Sequence, residues 1–224
     1  MPSTLSRPFS PPDQREAQIK KRALAFFPQG RNSHDWEHTE RVLALAVRIG
    51  ESSDADLFVV RTAAILHDIA RSIQDQSAGA ICHAQKGAEL AAGILTDLSI
   101  PNQSAENILH CIRTHRFRGT DIPQTVEAKT LFDADKLDSI GAIGIARAFQ
   151  FAGEVGARLH NPRNDIENTS AYSREDTGYR EYMVKLRHIP SRMQTEEGKR
   201  LAAKRAEFMH LFFQHFLAEH AAEM

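Results

Sequence analysis

Cysteines, long apolar runs and an excess of charge of either sign are what this sequence lacks. Its two cysteines, Cys82 and Cys111, lie far apart and match no metal or redox spacing, which removes cysteine-based metal and redox chemistry. Each falls in a helical pattern where a small buried hydrophobe fits, and a reducing cytoplasm is the setting such cysteines suit. No apolar run is long enough to span a bilayer, and residues 1–12, rich in Ser and Pro, lack the basic start and apolar stretch of a signal peptide. A flexible tail is expected there, ahead of one domain over 13–224. The 28 Lys and Arg balance the 29 Asp and Glu and are spread along the chain, so no footprint for polymeric nucleic acid or a membrane surface stands out. A small anionic ligand remains open. With no Gly-rich phosphate loop or Walker motif, phosphate binding would depend on side chains and metal.

Strand-like alternation is also nearly absent, while helical periodicity recurs, so an all-α fold is expected. The 224 residues suffice for one sizeable core and are few for two. Helices are expected over residues 13–27, with Asp13 as cap and a break at Pro28-Gln29-Gly30, and over 33–49. Others follow over 54–69, with Asp54 as cap, over 79–98, over 101–115 and, as one long helix, over 126–155. Residues 156–171 turn to Asn, Arg, Asp and Pro, the composition of an exposed loop that can act as a lid or insertion. Two more helices are expected over 172–186 and 195–219. The last carries Leu201, Phe208, Leu211, Phe212 and Phe216 to cover the core or a partner, which leaves a homodimer open.

Within this pattern His38, His67 and Asp135 lie on the inward faces of three helices, and Asp68 follows His67 directly. His38 precedes Val42, Leu45 and Ile49 by four, seven and eleven residues; His67 follows Ala64 by three; Asp135 follows Leu131 by four. A lone inward histidine is more often a hydrogen-bonded core residue. Two carboxylates and two imidazoles together are hard to explain as packing, because each unpaired buried carboxylate costs several kcal/mol. A divalent cation would compensate them, and an imidazole and carboxylate set suits Mn, Fe, Ni, Co or Zn.

The doublet His67-Asp68, with "HDWEHTERV" at 34–42, "AAILHDIAR" at 63–71 and "DADKLDSIGAIGIARAF" at 133–149, resembles the HD-domain superfamily of metal-dependent phosphohydrolases. These strings look like its small bacterial members, and "EGKRLAAKRAEFMHLFFQHFL" extends the resemblance through the C-terminal helix. The resemblance implies a helical bundle with a metal site in its core, held by His38, His67, Asp68 and Asp135, with Mn the favoured ion. It also implies hydrolysis of a small phosphorylated substrate. Nucleoside triphosphate cleavage to monophosphate and pyrophosphate is the leading expectation, and a 5′-nucleotidase or a cyclic-nucleotide phosphodiesterase the alternative. A nucleotide-binding regulatory module is the reading from another class. Family members with two metals have extra histidines where His83, His110 and His115 fall. By helical phase His110 points elsewhere, while His83 and His115 are expected to meet substrate phosphate or settle hydrogen bonds, with a second ion as the alternative.

Asp68 is the candidate to orient the attacking water. Some family nucleotidases carry a Glu soon after the doublet as the proton-transfer group; here Ile69 to Asp75 offers none, and Asp75 or His83 would have to substitute. Charge on a phosphate chain calls for cationic side chains. Lys136, Arg116, Arg118 and Arg71 are the candidates, with Arg113 in the same run. Lys185 and Arg187, placed before the last helix, are further candidates to close over the site.

Overall fold

The computed structural model describes residues 14–27, 36–77, 79–116 and 121–224. The expected tail, the Asp13 cap, the Pro28-Gln29-Gly30 break, the start of a helix at Ser33 and the candidate Arg118 lie outside the described residues. Among those described there are ten α-helices and no strand. They are α1 (Gln14–Leu24), α2 (Trp36–Glu51), α3 (Leu57–Leu66), α4 (Arg71–Gln76), α5 (His83–Asp97), α6 (Asn102–Thr114), α7 (Val126–Asp138), α8 (Gly141–Glu154), α9 (Gly178–Val184) and α10 (Glu196–His220). Two short 3-10 turns, Leu186–His188 and Pro190–Arg192, join α9 to α10.

α3 is the central element. Every residue from Val59 to Leu66 is buried, as expected of a helix covered on all sides. It packs on α1, α2, α6 and α7. Its cap is Asp56, whose side chain accepts from the Phe58 and Val59 amides, and not Asp54 as the sequence suggested. Asp54 sits two residues earlier with φ 52°, outside the helix. One apolar cluster runs from Ile19 of α1 through Val42, Ile65, Ile112 and Leu131 to Phe213 of α10.

The helix expected over 172–186 starts only at Gly178 and ends at Val184, because Tyr172 lies at φ 59°, outside helical space. Three further expectations are corrected. The segment after the doublet forms the short helix α4, and the next helix starts at His83 and not at Gly79, which has φ 84°. The expected long helix over 126–155 is two helices, because the chain turns at Ser139 and Ile140 and leaves Gly141 at φ 80°. The turn is tight: a Cβ on Gly144 would lie 2.2 Å from the Ser139 carbonyl oxygen. Arg205 of α10 donates to the Leu137 carbonyl freed there. We therefore expect Gly144→Ala to destabilise the protein by about 2 kcal/mol, a typical overpacking cost. In thermal unfolding this is a fall in Tm of roughly 4–8 °C; an unchanged Tm would contradict the contact.

The last correction is one of phase. α10 buries Gly198, Ala202, Met209 and Phe213, while Phe208 and Leu211 stay exposed and Leu201, Phe212 and Phe216 are half-buried against the core. The sequence offers several apolar stripes on this helix, and its anchoring chose among them. The anchor is Asp133 of α7, which accepts from the Thr195 amide (2.7 Å), the Thr195 hydroxyl (2.6 Å) and the Gln194 amide (2.8 Å). Thr195 in turn caps α10 through the Gly198 amide.

Candidate metal centre

Five helices aim side chains at one point in the interior. His38 lies in the first turn of α2, His67 caps the C-terminus of α3 with Asp68 after it, and Asp135 lies in the last turn of α7. His83 opens α5 and His115 caps the C-terminus of α6. Helix ends are suited to this, because a residue there projects beyond the packed stripe.

The four expected ligands meet. His38 Nε2 lies 3.4 Å from His67 Nε2, 3.4 Å from Asp135 Oδ1 and 3.7 Å from Asp68 Oδ2. Asp68 Oδ2 is also 3.7 Å from His67 Nε2. The other oxygen of Asp68 faces a second group: Oδ1 is 3.2 Å from His83 Nε2 and 3.7 Å from His115 Nε2, and those two nitrogens are 3.0 Å apart. His83 and His115 thus join the cluster itself, while His110 turns away and accepts from the Gln124 amide.

What the four histidines do with their other nitrogen decides the chemistry. Each Nδ1 faces an oxygen acceptor: the Asp138 carboxylate for His38 (2.8 Å), the Ala64 carbonyl for His67 (2.7 Å), the Gln74 side-chain oxygen for His83 (2.8 Å) and the Ile112 carbonyl for His115 (2.6 Å). A carbonyl or carboxylate can only accept, so each Nδ1 carries the hydrogen and each neutral ring presents its Nε2 lone pair inward. Four such lone pairs converge with the carboxylates of Asp68 and Asp135. A cation relieves that crowding of electron density, and the mixed nitrogen and oxygen set fits a divalent first-row ion.

The electrostatics sort the groups. Burial works against a charge on His38, but hydrogen bonds to Asp135 and Asp138 and the nearby Asp68 outweigh it, and its pKa is pushed up to about 9. A metal and that proton compete for the same Nε2. Burial dominates at His83 and His115, pushing them down to about 4 and about 3, so both rings are neutral at ordinary pH. Burial also opposes ionisation of Asp135, yet Lys136 and His38 hold its carboxyl well below the usual range.

Asp138 is the residue that sequence reasoning passed over. Its side chain, 2 % exposed, accepts from Arg41 Nε (2.7 Å) and Arg147 Nη1 (2.8 Å) besides His38. It holds the His38 ring in place. The string "DADKLD" therefore sends three carboxylates three ways: Asp133 to the cap of α10, Asp135 to the cluster and Asp138 behind it.

A cavity of about 270 Å³ opens on the cluster, walled on its polar side by Arg71, Arg116, Lys136, Arg147 and Lys185. Lys136 Nζ is 2.6 Å from Asp135 Oδ2, and Arg116 is steadied by Gln74 Oε1 and the Cys82 sulfur, both at 3.1 Å. Three of the four candidate cations reach the cavity, and Arg118 lies outside the described residues. Lys185 lines the cavity, whereas Arg187 and Arg113 do not. Asp75 pairs with Arg71 at 3.3 Å and is half exposed, away from the cluster. Arg147, for which the sequence suggested no role, stands on α8 in the small-residue stretch after Asp135.

Residues 35–140 match the HD domain family. Over 197 residues the chain is 32% identical to YpgQ of Bacillus subtilis, covering 86% of this chain and 87% of that protein. The crystal structure of YpgQ in complex with ADP superposes with a TM-score of 0.70 over 91% of this chain and 96% of that one, at 32% identity. An HD-superfamily hydrolase from Bacillus thuringiensis superposes with a TM-score of 0.74 at 25% identity, over 93% of this chain and 98% of that one. No helix among the described residues is long and apolar enough to cross a membrane.

Proposed function

Because the chain belongs to the HD-domain superfamily of phosphohydrolases, we propose that it hydrolyses a nucleoside triphosphate to monophosphate and pyrophosphate at the cluster of His38, His67, Asp68 and Asp135. The carrying observation is one cavity that joins converging imidazole and carboxylate groups to five cationic side chains. Such a cation count suits a chain of phosphates better than a single phosphomonoester. The complex of the similar YpgQ with ADP supports a nucleotide.

His38, His67, Asp135 and one oxygen of Asp68 would hold one divalent ion, Mn being our choice, and the other oxygen of Asp68 with His83 and His115 would hold a second. An ion bound there polarises a phosphoryl oxygen and lowers the pKa of water. The chain's own residues supply the rest. Asp68, with its two oxygens turned to the two groups, sets their spacing. Lys136 and Arg116, each preset by a neighbour, bind the phosphates without first ordering a loose side chain. Arg71, Arg147 and Lys185 complete the clamp around the phosphate chain.

The shared carboxylate also favours a second reading, phosphodiester hydrolysis of a cyclic nucleotide, since paired ions suit an in-line displacement. The test is a panel of nucleoside triphosphates, monophosphates and cyclic monophosphates with added Mn²⁺. Pyrophosphate release from the triphosphates is expected. Orthophosphate from monophosphates would replace this reading with a nucleotidase, and ring opening of the cyclic compounds with a phosphodiesterase.

A further inference from the structure

A second cavity, about 200 Å³, continues from the first and shares Arg71, Ser139, Arg147, Tyr172 and Lys185 with it. Its far wall changes in character. Ala148 and Phe151 of α8 and Leu186 form an apolar floor, and Glu181 of α9 adds one carboxylate. Where the first cavity is built for anions, the second offers an aromatic surface and a hydrogen-bond acceptor. The two meet at Tyr172.

Tyr172 is unusual on two counts. The residue is 74% exposed although its ring rests edge-on against Phe151, with ring centroids 5.6 Å apart and planes at 75°. Its backbone is at φ 59°, a left-handed conformation that a bulky residue adopts at a cost. Buried Asp176 holds it there by accepting from the Tyr172 amide (2.8 Å), and Arg180 grips the other oxygen of Asp176 at 2.6 Å. The fold thus spends local strain to hold an exposed aromatic ring at the junction of a phosphate-binding cavity and an apolar one.

We infer that the second cavity is the nucleoside subsite, in which the base stacks on Tyr172 above Phe151 and a sugar hydroxyl donates to Glu181. The inference rests on the nucleotide reading of the cluster. Stacking on an aromatic side chain is independent of the phosphate clamp and is lost when the ring is removed.

The test is isothermal titration of ADP and of inorganic pyrophosphate into the Mn²⁺-loaded protein and three variants. Tyr172→Ala and Phe151→Ala are expected to weaken ADP binding about tenfold while pyrophosphate binding stays within about twofold; Tyr172→Phe, which keeps the ring, should match the wild type. Unchanged ADP affinity in both alanine variants, or equal losses for ADP and pyrophosphate, would overturn the subsite. Wild-type protein that binds pyrophosphate but not ADP would overturn it and leave phosphate hydrolysis standing. Protein that binds neither would overturn the nucleotide reading as well.

Discussion

Asp68→Ala is expected to lower kcat/KM for a nucleoside triphosphate by about a thousandfold or more, roughly 4 kcal/mol of transition-state stabilisation. The size follows from position. Asp68 Oδ2 lies against His38 and His67 and Oδ1 against His83 and His115, so its removal takes a carboxylate from both groups at once. Four imidazole lone pairs would then face one another with only Asp135 to offset a cation. Steady-state kinetics with metal analysis of the purified variant checks this, and thermal unfolding confirms that the fold persists. Activity within tenfold of wild type, with the metal content unchanged, would show that Asp68 does not hold metal.

The second large effect is expected at a residue that touches no ligand position. Asp138→Ala removes the acceptor that fixes His38 and leaves Arg41 and Arg147 facing a neutral methyl group. Losing a partner of this kind behind a ligand costs about 10–100-fold in metal affinity. Breaking a buried ion pair by removing one side costs about 3–5 kcal/mol of stability. Both should appear together, as weaker Mn²⁺ binding in a competition titration and as a lower denaturation midpoint. Asp138→Asn separates them: the amide oxygen can still accept from His38, so metal affinity should fall less than in the alanine variant, while the lost charge still weakens the grip on both arginines. Equal metal affinity in all three proteins would remove Asp138 from the support of the site.

His38, His67 and Asp135 were legible because each lies on or at the end of a helix whose apolar period can be counted, and a polar residue on the buried stripe stands out; Asp68 was legible only as the second residue of the doublet. His83 was legible for the same reason, in line with Gly87 and Ile94. Asp138 and Arg147 were not, since a carboxylate or guanidinium near a helix end reads as solvated until its partners are known. Tyr172 was read as the start of a helix, and only its backbone angle and its neighbour Phe151 mark it as part of the cavity. The break between α7 and α8 was hidden because the apolar period runs on across Ser139, while the turn depends on Gly141 and on Arg205 arriving from α10.

By itself the sequence determined the helical class and the identity of the inward-facing ligand types, because both rest on periodicities within about ten residues. Tertiary structure alone decided that Asp68 is shared by two groups, that every Nδ1 has its acceptor and that five cations gather at one mouth. His38 and Asp138 meet across 100 residues. No local pattern encodes such a meeting, since it is set by how α2 and α7 pack around the buried helix α3.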